Sequence, residues 1–240
     1  MQKKQLLIIA ISLLLSACSF EPNADKIIKK SVAFYGMDKL DGKTVSFDFR
    51  EKHFEIKIDD DDFFYESTYK DSLGVIKDQL SNHGFVRELN GLVTPLSAKD
   101  SLKYAESLNS VVYFAFLPLK LQDDAVEATF LRTVQVKGTE YSQIEVSFKK
   151  EDGGSHHNDV YYFWFDTKDS SMDYFAYSAG GNRFRAINGL VKVGNIYLQN
   201  YYNLENKGND KRPLKDYHIL FEQDKLSLLS EIKMENVKIN

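Results

Sequence analysis

His156 and His157, with Asp159 two residues on, follow the Gly153-Gly154 loop and bring two imidazoles and a carboxylate close together in the sequence. Imidazole and carboxylate together can hold a metal or move a proton. Neighbours on an extended strand point to opposite faces, and no third ligand accompanies them, so no metal is expected. The three remain candidates for a hydrolase, with no catalytic step assigned to any of them. Arg183 and Arg185 flank Phe184 and so share one face of a strand. Two guanidinium groups ~7 Å apart can meet a phosphate or carboxylate, or can pair with Asp and Glu on a neighbouring strand. Ser178-Ala179-Gly180-Gly181 lacks the glycine two places before a nucleophile-elbow serine and reads as a hairpin turn. Asp59 to Asp62 lack the glycine and distal glutamate of a calcium loop and read as a solvated turn. No cofactor motif is present.

The only cysteine, Cys18, has a different chemistry. Lys3 and Lys4 precede an apolar run from Leu6 to Leu15, broken only by Ser12, and Leu15-Ser16-Ala17-Cys18 ends it. Such a run is shorter than the ~20 residues that a spanning helix needs, and it reads as a secretory signal. Its last four residues resemble the bacterial lipobox, in which the cysteine thiol receives diacylglycerol, cleavage precedes it, and the new amino terminus is acylated. Each buried CH₂ contributes about 0.8 kcal/mol, so several acyl chains anchor stably where one would be marginal. Residues 1–17 are therefore expected to be the signal peptide, 18–22 a lipidated tether and 23–240 one domain. Ser19, in place of Asp after the cysteine, implies by the same resemblance the outer membrane of the cell envelope. With Cys18 acylated, no thiol remains for a disulfide or a thiolate nucleophile.

The elements that position these groups are mostly strands. Asn23 to Gly36 reads as a capped helix with Ile28, Val32 and Tyr35 on one face, and Ser97 opens a second helix that runs to about Phe116. Between and after them come alternating runs: Val45 to Phe49, Phe54 to Ile58, Phe63 to Tyr69, Val75 to Leu80, Phe85 to Leu89, Thr129 to Val136, Tyr141 to Lys149, Val160 to Phe165, Met172 to Ser178, and Arg183 to about Tyr202. Pro213 to Phe221 reads as a last short helix and Ser227 to Ile239 as a final strand. Ten or so strands with turn-length connections argue for an antiparallel α+β fold and against a βα barrel. In Val160 to Phe165 both strand faces are apolar or aromatic, and Tyr174, Phe175 and Tyr177 repeat the pattern, so both sides of the sheet must be covered. Helices can cover one side and a bound apolar molecule part of the other; a two-sided protein core is the alternative. A net charge of −4 gives no cationic excess for a polyphosphate backbone, which excludes nucleic acid as an expected partner.

Several stretches resemble the bacterial lipoprotein family that carries the domain of unknown function 6503. They are Val45 to Arg50, Leu80 to Arg87, Asn109 to Phe114 with Leu117-Pro118, Asp124 to Val126, Gly153-Gly154, Asp159 with Trp164-Phe165, Tyr174 to Tyr177, and Gly181 with Arg183 to Arg185. The resemblance implies an extracytoplasmic lipoprotein and brings no catalytic residue with it. The architecture is similar to the half-barrels of periplasmic lipoprotein carriers, which implies a curved, mostly antiparallel sheet with helices on its concave face. The expected function is non-catalytic binding of a lipid-like or other apolar ligand in that face. Tyr162 and Trp164 are expected to line it, with Arg183 and Arg185 near the mouth. The alternatives are an envelope hydrolase using the His156, His157 and Asp159 region, or a structural partner of envelope proteins.

Overall fold

The computed structural model describes residues 22–59, 62–149 and 159–240, so Cys18, His156 and His157 lie outside the described residues. The first helix, α1 (Ala24–Phe34), starts where the Asn23 side chain accepts a hydrogen bond from the Lys26 amide at 2.9 Å. It buries Ile28 and Val32, followed by Tyr35. It ends at Gly36, whose φ of +65° puts it in the left-handed region. A Cβ there would stand 2.2 Å from the Asn195 carbonyl oxygen, and the Tyr197 amide donates to the Tyr35 carbonyl at 2.9 Å. Only glycine lets the helix end approach that backbone so closely.

The strands form two antiparallel sheets of seven. The first joins β1 (Thr44–Phe49), β2 (Lys52–Asp59), β3 (Asp62–Lys70), β4 (Val75–Ser81), β5 (Gly84–Leu89) and β6 (Leu92–Val93) as a meander, with β14 (Glu235–Ile239) beside β1. The second joins β7 (Val126–Val136), β8 (Thr139–Phe148), β9 (Tyr161–Asp166), β10 (Met172–Tyr177), β11 (Arg183–Val193), β12 (Ile196–Glu205) and β13 (Ser227–Ile232) in chain order. Neither sheet closes on itself, and together they make a curved α+β half-barrel. Helix α2 (Ala98–Ala115), capped by Ser97 through the Asp100 amide at 3.1 Å, packs on β3, β4 and β5, while α1 contacts β7. Both helices contribute to the main core between the sheets.

Fourteen strands stand among the described residues where about ten were expected: Leu92–Val93 adds the short edge strand β6, and two expected strands are each two. The stretch from Arg183 to Tyr202 folds back at Gly194-Asn195, with Val193 paired to Ile196 across the turn and Gly194 at φ +59°. Ser227 to Ile239 is also two strands, and these belong to different sheets. The chain crosses from one sheet to the other at Lys233-Met234, where Met234 is buried and its amide donates to Asn200 Oδ1 at 2.9 Å.

A third helix, α3 (Tyr217–Glu222), lies on the opposite face of the second sheet. Tyr217 and Leu220 pack there with Trp164, Ala176, Phe184 and Ala186 in a separate cluster. Both faces of β9 to β11 are thus covered, the inner one by the main core and the outer one by α3.

Candidate ligand-binding cavity

Alternation along β9 and β10 decides what the space between the sheets presents. Tyr161, Phe163 and Phe165 of β9, with Phe175 and Tyr177 of β10, point inward to the main core. The β10 to β11 register sets Arg185 opposite Phe175 and Phe184 opposite Ala176. Arg185 therefore shares the inner face with those rings.

Between this face, β1 and α2 lies a cavity of about 640 Å³. Its apolar lining comes from Phe47 and Phe49 on β1, Val111 and Phe114 on α2, and Phe148, Tyr161 and Tyr177 on the second sheet. Phe114 is the hub of this wall, its ring 5.7 Å from Phe175 and 5.3 Å from Tyr177. Size and lining match those of sites for small amphipathic molecules, which are mostly apolar with a few placed polar groups.

The polar lining includes Arg50, Glu106, Asn109, Asp123, Arg185 and Gln199. Arg185 is 8% exposed, and its Nη2 donates to Tyr177 Oη at 2.6 Å. Its guanidinium carbon lies 5.5 Å from the Phe114 ring centre and 5.9 Å from that of Phe175. Gln199 donates from Nε2 to the Met172 carbonyl at 2.8 Å and accepts from the Tyr201 hydroxyl. Burial pushes the Tyr113 and Tyr201 hydroxyls well above the ordinary tyrosine range, so both stay protonated donors. Asp123 also lines the space and is paired with Lys120 at 3.1 Å.

A second cavity of about 560 Å³ adjoins the first, with Phe49, Arg50, Ser107 and Val111 lining both. Its character is ionic. Arg87 grips the buried Asp78 with two bonds, Nε to Oδ1 at 2.6 Å and Nη2 to Oδ2 at 2.7 Å, and its guanidinium carbon stands 3.4 Å from the centre of the Tyr104 ring. Lys52 sits 3.9 Å from the Tyr69 ring centre, and desolvation, with Arg87 nearby, lowers its pKa.

The residues expected from sequence are divided by this geometry. Arg185 is in the cavity, on its buried wall rather than at a mouth. Arg183 is not among the lining residues; its Nη1 donates to the Asn182 carbonyl at 2.9 Å and lies 3.8 Å from Glu205. Tyr162 and Trp164 also fall outside the cavity: Trp164 is 0% exposed and packs under α3, 5.5 Å from Phe184 and 5.5 Å from His218 between ring centres. The expectation that these two line the concave face is corrected by one residue of strand parity, since their neighbours Tyr161, Phe163 and Phe165 hold the inner side. Asp159 accepts a hydrogen bond from Ser178 Oγ at 3.0 Å. The helix residues Val111, Tyr113 and Phe114 were not expected in the site, although the spacing of Val111 and Phe114, four and seven residues after Ser107, could have flagged a shared surface. Among the described residues, no group of three or more His, Cys, Asp or Glu could hold a metal, and no helix is long and apolar enough to cross a membrane.

The sequence model of a family of unknown function, DUF6503, matches residues 3–234, and the chain belongs to that family. No curated protein matches it. Among solved structures, it is similar to a DUF1329 family protein from Desulfovibrio piger, at 12% identity and a TM-score of 0.50, covering 90% of this chain and 92% of the other. It is also similar to a LolA superfamily protein from Nitrosomonas europaea, at 7% identity and a TM-score of 0.48, covering 91% and 92%. At these identities the likeness concerns the fold alone.

Proposed function

We propose that this member of the DUF6503 family is a lipid-anchored protein of the cell envelope that binds a lipid-like ligand in the cavity between α2 and the two sheets. The observation that carries the reading is the cavity itself, about 640 Å³ and lined by aromatic rings of β1, α2, β8, β9 and β10. An aromatic-lined space of this size with placed polar groups has the form of a site for an amphipathic ligand. The lipobox-like end of the leader supports the anchor at Cys18, which would keep the domain beside a membrane that holds such molecules. Ser19 supports the outer membrane as its site.

The test is extraction and mass spectrometry of lipid that co-purifies with the full-length protein, compared with Val111→Trp. Val111 lines both cavities and is only partly buried, so an indole there fills space with little disturbance to the core. Stoichiometric lipid on the wild type and its loss from a folded Val111→Trp support the reading. Equal lipid on both proteins places it elsewhere and refutes the cavity as its site.

A further inference from the structure

Arg185 has an arrangement that a structural arginine does not need. It is buried on an apolar wall, and among the described residues no carboxylate pairs with it. Its only hydrogen bond to them is the one to Tyr177 Oη, and its Nε is buried with no partner. Aromatic rings on both sides offset part of the desolvation but supply no acceptor for that N–H. Leaving a charged group both buried and unmatched is costly, and a guanidinium keeps its charge at any pH the protein meets. Tyr113 Oη, buried without a partner, faces the same cavity from α2. Tyr177 Oη accepts from Arg185 and keeps its own proton for a further acceptor. Two unmatched donors and one spare hydroxyl thus belong to residues that line one cavity, beside the rings of Phe114, Phe148 and Tyr161. By contrast, Arg87 in the adjoining cavity is saturated by Asp78, and Arg183 lies beside Glu205.

We infer that the ligand is a long-chain amphiphile with an oxyanion headgroup, carboxylate or phosphate, which enters head first and seats that group on Arg185. The guanidinium fork matches either oxyanion with two parallel N–H bonds, and the aromatic walls formed by Phe47, Phe114, Phe148 and Tyr161 take the chain. This rests on the ligand-binding reading above and adds the headgroup and its orientation.

The experiment is calorimetric titration of the full-length protein, stripped of lipid in a fluorinated surfactant, with oleate, oleyl phosphate, oleyl alcohol and inorganic phosphate. The wild type should bind oleate or oleyl phosphate at least about tenfold more tightly than oleyl alcohol, as a buried charge-assisted pair requires. Whichever of the two anions binds more tightly identifies the headgroup. Arg185→Gln should erase that preference, bringing the anions down to the affinity of the alcohol, while Arg185→Lys keeps part of it. Equal wild-type affinity for acid and alcohol, or an equal loss of both in Arg185→Gln, overturns the inference. So does inorganic phosphate binding as tightly as oleate, which would mark a site for a small anion. If none of the three chain-bearing probes binds, the ligand-binding reading itself falls. The wild-type comparison decides the matter even if a variant fails to fold.

Discussion

Arg185 stands directly across the β10 to β11 ladder from Phe175, so the register that sets an aromatic ring into the core also sets a guanidinium beside it. One strand slipped by a single residue would carry that charge to the α3 side, among Trp164, Tyr217 and Leu220, and would turn Phe184 toward the cavity. The pairing thus ties the sheet's packing to the polarity of its cavity.

Without ligand, Arg185 is a cost to the fold. Arg185→Leu should leave the lipid-free protein as stable as the wild type or stabilise it by about 1–3 kcal/mol, because it removes an unmatched buried cation. Urea unfolding of both proteins measures this, and a loss of more than about 1 kcal/mol, a factor of about five in the folding equilibrium, would show that the arginine already has its partner.

Gly36→Ala should destabilise strongly. The φ of +65° alone costs an L-residue ~1–2 kcal/mol, and the new methyl would meet the Asn195 carbonyl oxygen at 2.2 Å. Since both partners are backbone, α1 would have to move off β12. An unchanged urea midpoint would contradict the packing described for this helix end.

The Arg87 and Asp78 pair should behave as a unit. Asp78→Ala leaves a half-buried cation without its carboxylate and should cost about 1.5–3 kcal/mol, whereas Asp78→Leu with Arg87→Met should cost much less than the two single changes added together. A double-mutant cycle reads the coupling, and simple additivity would mean that the pair contributes nothing as a pair.

His218 supplies a pH dependence. Burial against Trp164, with Arg132 nearby, lowers its pKa below the usual 6.5. The unfolded chain then binds a proton more readily than the folded one, so this contribution is complete above pH ~6.5 and is lost as the pH falls from there toward the folded value. Stability measured between pH 7 and pH 5.5 should decline less in His218→Phe than in the wild type. Identical slopes would exclude His218 as a source of acid sensitivity.

The fold was largely legible because its strands alternate and its turns carry their own residue types. Asn82-His83-Gly84 marks a hairpin, and Ser97 with Asp100 marks a helix start. The face that each strand presents inward was not legible where both faces are aromatic. In Tyr161 to Phe165 hydrophobicity carries no parity, so the sequence places Trp164 and Tyr162 at a cavity that Tyr161 lines, on the face that Phe163 shares. What breaks the tie is α3, more than fifty residues downstream, whose Tyr217 and Leu220 cover the outer side. The cavity was hidden for a similar reason, since β1, α2 and β9 to β11 meet only after folding. Of the two arginines, alternation places both on one face, but only Arg185 falls at the aromatic wall; Arg183, at the strand's start, reaches Glu205.

The central claim is that a lipid-like molecule occupies this cavity, and photo-crosslinking tests it most directly. A diazirine-bearing fatty acid would be bound to the full-length protein and irradiated, and the modified residues mapped by mass spectrometry. The account predicts adducts on the peptides holding Phe114, Phe148, Tyr161 and Tyr177, which line the cavity. Adducts confined to the α3 face around Tyr162 and Phe221, or none that unlabelled oleate can displace, would contradict it.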